Sequence, residues 1–533
     1  MQVSPVPAVH YTRPFKSSPL CEPSPNGCLV AVLISSTIIV RSTETLQTVH
    51  VVKLSPELTG PITSFTWAPS SAKLLVSAGD LIQVFAACDS SFQATIHNPA
   101  APLGGKLPLI RFGARDTEVL ACAPFGMKFS VFDLTTSKAV EISNPKFHHP
   151  TSASRGFSIR PDTGHIVVLT RVGGKDMVSI HHQLTRQVMK SWYPDTLDAQ
   201  GIQWTADGQW IVLWESPAQG SRLFVYTGDG HHFRTLDAYG LVPESATDPQ
   251  FDMHSGIKSC QLSPDAQLCV IGDHTRGITV LQAGIWRSMM RLMHPAAITP
   301  RETLQVWQEQ VSGGADGRNV HAFFRATQTV SPPSLLDGPK QSTDARFGCS
   351  SILFDASSTL LATRLDDSPC TIWIWDLVAT ELRAALIFHS AVNFAWHPSV
   401  RETLLISTQD EKQKGLSYVW DPLSQGPTPL VAEQYLSTTK QSSSKLQVTW
   451  LNRETESLEL LLSDSHQYVL LSLADTDTGP SPWEAASGGA EFDGPWLAPS
   501  SGRDEAESLG SARPIVIAED ISNLDDTFSF RYT

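Results

Sequence analysis

Residues 350–377 read SSILFDASSTLLATRLDDSPCTIWIWDL, and their pattern decides the fold. A short apolar run ending at Phe354 meets a small polar turn, and a second apolar run follows. Asp366-Asp367 opens another turn, after which Ile372-Trp373-Ile374-Trp375-Asp376 alternates with period two. In a strand that period sets one large face against a neighbour. The segment predicts three consecutive antiparallel strands whose faces need a partner.

The same order of parts recurs along the chain. Residues 62–86 read ITSFTWAPSSAKLLVSAGDLIQVFA, residues 257–281 read IKSCQLSPDAQLCVIGDHTRGITVL, and residues 392–421 read VNFAWHPSVRETLLISTQDEKQKGLSYVWD. Weaker copies begin near Leu20, Leu109, Gly156, Gly201 and Leu446, which makes nine units. The first turns, at Pro25, Pro69, Ala114, Pro161 and Ala206, are separated by 44, 45, 47 and 45 residues. That spacing matches the roughly 40–45-residue period of a WD40 blade. Later intervals of 58, 92, 42 and 54 residues mark insertions, chiefly 244–254 and 299–346, which read as turn-rich loops on a blade face.

The turns have a mechanism. Ser24-Pro25, Ala68-Pro69 and Ser263-Pro264 fix φ near −65° at the second position of a β-turn. Asp80, Asp273, Asp366, Asp410 and Asp464 stand in or beside the second turn, where a carboxylate takes backbone N–H groups left out of the ladder. Radial stacking buries the alternating faces and leaves short edges. The expected fold is all-β: a WD40 β-propeller of about nine four-stranded blades over residues 1–475, with one large ring favoured over seven closed blades carrying two as an appendage, because only the 299–346 insertion separates any two units. Val9 to Phe15 precedes the first unit and is expected to supply the outermost strand of the last blade. Trp67, Trp204, Trp373, Trp375, Trp396, Trp420 and Trp450 are assigned to blade core, and Trp483 and Trp496 to the tail outside it.

Composition bounds the rest. The chain has 533 residues, 41% apolar and 17% charged, the latter below the roughly 25% of an average soluble protein. A net charge of −14 argues against nucleic acid as the main ligand, since phosphate neutralisation needs clustered cations. The longest apolar run, Leu29 to Val40, is too short for a membrane span of about 20 residues. No secretory signal is visible, so the eight cysteines are read as reduced thiols in an intracellular, soluble protein. Residues 476–533 carry eleven acids against three arginines and are rich in Gly, Ser and Pro. They read as a disordered acidic tail.

Chemistry-bearing motifs are absent: there is no phosphate-binding Gly-rich loop, H-E-x-x-H or G-x-S-x-G. His148-His149, His181-His182 and His231-His232 are adjacent pairs, and neighbouring strand residues point to opposite faces, so they chelate poorly. Cys21 and Cys28 read as packed thiols. No cofactor, metal or catalytic residue is implied. In the tail, Arg513–Ala518 is β-prone, and Phe528 and Phe530 alternate beside acids. That end is read either as a solvated terminus or as a strand added to a blade or to a partner.

From Gly256 to Ile298 the chain reads GIKSCQLSPDAQLCVIGDHTRGITVLQAGIWRSMMRLMHPAAI. This stretch resembles the corresponding repeat of the WD-repeat protein eight family, also called the WRAP-seventy-three family, with His294-Pro295-Ala296-Ala297-Ile298 its most specific element. Lys175–Ile180, Gly201–Trp204, Ala238-Tyr239 and Leu361–Arg364 leading to Ile372–Asp376 support it, and the similarity runs in order through about residues 10–475. The 244–254 loop and the acidic tail depart from animal members and fit a fungal one. The resemblance implies a non-catalytic scaffold at the spindle pole body or centrosome, in the cytoplasm and cytoskeleton. There it would work with an Msd-type coiled-coil anchoring protein and a kinesin-14 motor to hold microtubule minus ends. The acidic chain is expected to meet microtubules only indirectly, without nucleic acid or membrane as ligands. An adaptor of another assembly, such as translation initiation, and a propeller hydrolase are the competing readings. For partner contact, His294, Pro295 and Ile298 with the start of the following insertion are one candidate, against a plain inter-blade turn; Phe528 and Phe530 are the other.

Overall fold

The computed structural model describes residues 8–97, 109–122, 127–146, 155–237, 241, 256–313, 319–335, 348–409, 415–436, 446–453, 458–474, 483 and 528–531. The insertion at 244–254, the pair His148-His149, Asp410, Arg513–Ala518 and Trp496 lie outside these residues.

The repeated turns are built as their residues dictate. At the first turn of four of the nine units a short polar side chain folds back on the backbone. Leu29 N donates to Ser24 Oγ (3.0 Å), Leu268 N to Ser263 Oγ (2.9 Å), Trp210 N to Thr205 Oγ1 (3.1 Å) and Leu360 N to Asp355 Oδ1 (2.9 Å). The fourth turn residue takes positive φ, with Gly27 at 69°, Gly208 at 66°, Ala266 at 62° and Ser358 at 62°. Each returns its N–H to the carbonyl of the first residue. Asp273 and Asp464 serve the second turn, accepting from Thr275 N and from His466 and Gln467 N.

Between these turns the strands pair as antiparallel meanders, innermost strand first. Blade I comprises Cys21–Pro23, Leu29–Ile34, Thr37–Ser42 and Thr48–Lys53. Blades II to IX begin with the strands that start at Ile62, Leu109, Phe157, Ala199, Ile257, Cys349, Val392 and Gln447. Nine buried apolar clusters each span two neighbouring blades. Phe65, Leu74 and Val76 of blade II pack on Val40 and Val52 of blade I, and the series continues around to Leu451, Leu461 and Leu470 of blade IX against Cys21, Val30 and Val32 of blade I. The ring is closed, and it has nine blades. Indole N–H groups add ties between innermost strands: Trp67 donates to Glu22 O (3.0 Å), Trp396 to Leu353 O (3.0 Å) and Trp450 to Ala395 O (3.2 Å).

Blade IX borrows its outer strand from the start of the chain. Ala8–Tyr11 runs antiparallel to Gln467–Ala474, from Ala8 opposite Ala474 to Tyr11 opposite Leu471. Three expectations change. Trp483, assigned outside the core, is 2% exposed, packs into the seam between blades IX and I, and donates to Thr43 O at 2.8 Å. Its polar surroundings in sequence hid one large apolar side chain for which the seam has room. The 299–346 insertion, read as loops, contains a β-hairpin of Gln305–Gly313 and Asn319–Arg325. Its first strand runs parallel to Glu381–Ile387, the outer strand of blade VII, and extends that sheet to six strands. Of the two thiols read as packed, Cys21 is buried, with its pKa pushed up to about 12 by burial, whereas Cys28 is exposed at its turn.

A candidate protein-docking site between blades VI and VII

Outer strand Arg287–Met293 of blade VI ends at His294, and the chain must then cross to blade VII. His294 is 3% exposed and stands edge-on to Trp373 and Trp375, with ring centroids 5.0 and 5.2 Å away. Its Nδ1 lies 2.6 Å from Arg276 O and its Nε2 2.8 Å from Thr363 Oγ1. A carbonyl only accepts, so Nδ1 carries the proton and Nε2 accepts from the threonine hydroxyl. That hydroxyl oxygen in turn accepts from Trp375 Nε1 at 2.9 Å. One directed chain of hydrogen bonds thus links blade VI to blade VII. Burial lowers the His294 pKa to about 4, which keeps the imidazole neutral. Arg276 completes the crossing with an ion pair to Asp367 at 3.0 Å.

Ile298 is 1% exposed and forms a two-way backbone bridge with Val330, at 2.7 and 2.9 Å, that pins the two ends of the insertion together. Both His294 and Ile298 point inward. A partner at this loop would therefore meet Pro295, Ala296, Ala297 and Thr299 instead, which are half-buried or exposed. Of these, Pro295, Ala297 and Thr299, together with Met293 and Ile298, border a groove of about 290 Å³ whose other wall is Trp375, Glu381 and Leu382 and whose end is Arg301, Thr303 and Leu304. Its lining is mixed, with Pro295, Ala297, Leu304 and Leu382 beside Thr299, Thr303, the Arg301 cation and the Glu381 carboxylate.

The hairpin beside the groove is clamped from beneath. Glu309 is 6% exposed and lies 2.6 Å from His321 Nδ1; it also accepts from His389 N at 2.8 Å and from the Tyr418 hydroxyl of blade VIII. Phe323 stands against Phe388 and Tyr418, 5.4 and 5.3 Å between ring centroids. The upper part stays open, with Val311, Val320 and Phe324 exposed. Sequence reasoning missed this hairpin. Its signal was the strand-like runs Gln305-Val306-Trp307 and Val320-His321-Ala322-Phe323-Phe324 on either side of Gly-rich residues 312–317.

The second candidate pair sits elsewhere. Phe528–Arg531 adds a fifth strand to the outer edge of blade II, antiparallel to Gln93–Ile96, with Phe530 opposite Ala94 and Phe528 opposite Ile96. The structure does not bring these residues to the groove. His181 spends its nitrogens on Ser179 Oγ and Arg186 O, each at 2.9 Å. Among the described residues no group of three or more His, Cys, Asp or Glu could hold a metal ion, and no helix is long and apolar enough to cross a membrane.

Nine four-stranded blades in a closed ring, with a loop and hairpin displayed on one of them, define a WD40-like β-propeller, a class that is typically non-catalytic and works through protein–protein contacts. The chain is 25% identical over 434 residues to WD repeat-containing protein WRAP73 of Mus musculus, covering 78% of this chain and 87% of the mouse protein. That similarity is distant and runs over most of the chain. The chain is also 22% identical over 390 residues to the uncharacterized WD repeat-containing protein C32H8.09 of Schizosaccharomyces pombe (strain 972 / ATCC 24843), covering 71% of this chain and 74% of that protein. No protein-family model matches. Similar solved structures include the C-terminal WD40 domain of Sif2, at 7% identity and a TM-score of 0.42 over 88% of this chain and 99% of that one. A crystal structure of the eukaryotic initiation factor has 10% identity and a TM-score of 0.46, over 80% and 88%.

Proposed function

We propose that this chain is a non-catalytic scaffold that brings an Msd-type coiled-coil anchoring protein and a kinesin-14 motor together at the spindle pole body or centrosome, and so anchors microtubule minus ends. The observation that carries the reading is the similarity to mouse WRAP73, which runs through most of the propeller rather than one blade. The displayed groove agrees with it. Pro295, Ala297, Leu304 and Leu382 offer apolar contact, and Arg301 and Glu381 offer charges that a helical partner matches at its edges.

Contact with the microtubule runs through the partners. Both this chain, at −14, and the tubulin exterior are acidic, and like charge lowers encounter rate and affinity. The purified chain alone stays in the supernatant when microtubules are pelleted at physiological salt; direct co-sedimentation overturns this part. The reading as a whole is tested by tagging the native chain, imaging it through mitosis and identifying what co-purifies. Pole foci with a coiled-coil protein and a minus-end-directed kinesin support it. Diffuse signal with recovery of translation factors refutes it. For the groove, Ala297→Glu and Leu382→Glu change exposed or half-buried positions and spare the His294 chain. Undiminished recovery of the anchoring protein with both changes in place removes the groove from the proposal.

A further inference from the structure

The innermost strands of blades III to VII enclose a second cavity of about 430 Å³ in the central channel. Its polar lining includes Arg111, Arg155, Ser158, Gln203, Gln261 and Ser350, and no Asp or Glu lines it. In a chain of net charge −14 that is an unusual place to find two uncompensated cations. Arg111 is held in position, with its guanidinium carbon 4.9 Å from the Phe157 ring centroid. Its Nε is buried and has no acceptor. Among the described residues neither Arg111 nor Arg155 makes an ion pair. The nearby Asp366 is already neutralised, since it takes both the Lys258 ammonium and the Ser350 hydroxyl. Burial weakens the hold of Arg111 on its proton, with no anion present to restore it.

A half-buried, pre-positioned guanidinium without a counter-anion is costly unless something supplies one. The planar fork of arginine matches two oxygens of a phosphate, and the serine hydroxyls and glutamine amides around it add neutral donors. We propose that the channel is a binding site for a small phosphate-bearing polyanion, with Arg111 and Arg155 as its charged contacts. The ring surrounds the site with strand backbone, which suits a compact free anion better than a folded partner.

The test uses the full chain and three probes in isothermal titration: inositol hexakisphosphate, inorganic phosphate and uncharged myo-inositol. The hexakisphosphate is expected to bind saturably, inorganic phosphate more weakly, and myo-inositol not at all. Arg111→Met or Arg155→Met should weaken hexakisphosphate binding about tenfold or more, as loss of a charged hydrogen bond does. Without ligand, Arg111→Met should leave the thermal midpoint unchanged or raise it, because an uncompensated buried charge is removed. That second readout separates loss of binding from loss of fold. The proposal is overturned by absence of saturable binding, by equal binding to the double variant, or by equally tight binding of phosphate-free polyglutamate.

Discussion

Because His294 is buried neutral in the hydrogen-bond chain that joins blades VI and VII, the ring should lose stability in mild acid through this one residue. Its pKa falls from 6.5 to about 4 in the folded chain, with burial as the first cause. Between those values the unfolded chain binds a proton that the folded chain refuses, so stability drops as pH falls below about 6.5 and levels off near 4. The full effect is about 3 kcal/mol, of which about 2 kcal/mol is lost by pH 5. His165, His181, His274 and His397 are also shifted down, chiefly by burial, and add to the same slope. The His294 share is isolated by comparing the wild type with His294→Gln, which cannot titrate. Urea midpoints at pH 7.5, 6 and 5 should show the wild type well ahead at neutral pH and its lead shrinking toward acid. A lead that stays constant from pH 7.5 to 5 refutes the buried neutral imidazole. Thr363→Val gives a cross-check. It leaves His294 Nε2 and Trp375 Nε1 unpaired, at about 1–3 kcal/mol for each group, without changing the side-chain volume much.

Trp483→Ala should destabilise the ring by about 3–5 kcal/mol, the usual cost of emptying a buried aromatic site, and a lowered thermal midpoint reads it. Hydrogen exchange should then quicken first in Phe15–Lys16 and the facing part of Gln467–Ala474, which border the same seam. Glu309→Ala leaves the Tyr418 hydroxyl and His389 N–H without their acceptor, at about 1–3 kcal/mol each. Exchange protection should fall across 305–325 while blade II keeps its own.

What could be read beforehand, and what could not, follows from the range of each interaction. The blades were legible because their turns are local. Ser24, Ser263 and Thr205 each cap a backbone N–H five residues away, and Asp355 repeats the same chemistry. Ring closure by the start of the chain was legible because Ala8–Tyr11 precedes a unit that already has its own strands. The hairpin was not, since its first strand pairs in parallel with residues near Ala384, almost eighty positions later, and breaks the period of the repeats. His294 beside Pro295 has the sequence of a turn, and its burial depends on Thr363, 69 positions on. The composition around Trp483 is that of a solvated tail, and a single indole leaves no periodic trace. The site suffered most, because the residues the resemblance picked out, His294 and Ile298, brace the loop whose exposed neighbours form the groove.

The seam between blades IX and I is where a ring of this size should be weakest, since there the first and last repeats must meet to close it. Leu470 N donates to Thr12 Oγ1 across 458 positions, and closing a loop of that length costs about 5 kcal/mol in chain entropy. Three ties act against that cost. The outer strand of blade IX is formed by Ala8–Tyr11. Phe15 stacks on Tyr468 at 5.3 Å beneath the Arg41 guanidinium, 4.4 Å from its ring. Trp483 then returns from beyond the last strand to bond Thr43 O. Burial of Phe15 and Trp483 contributes on the order of 2–3 kcal/mol each, which is enough to offset the closure entropy before the strand ladder is counted. Both ends of the propeller therefore fasten the same joint. A groove set between blades VI and VII, well away from that joint, inherits a rigid frame. A partner docking in it would lose less binding energy to ordering the surface it meets.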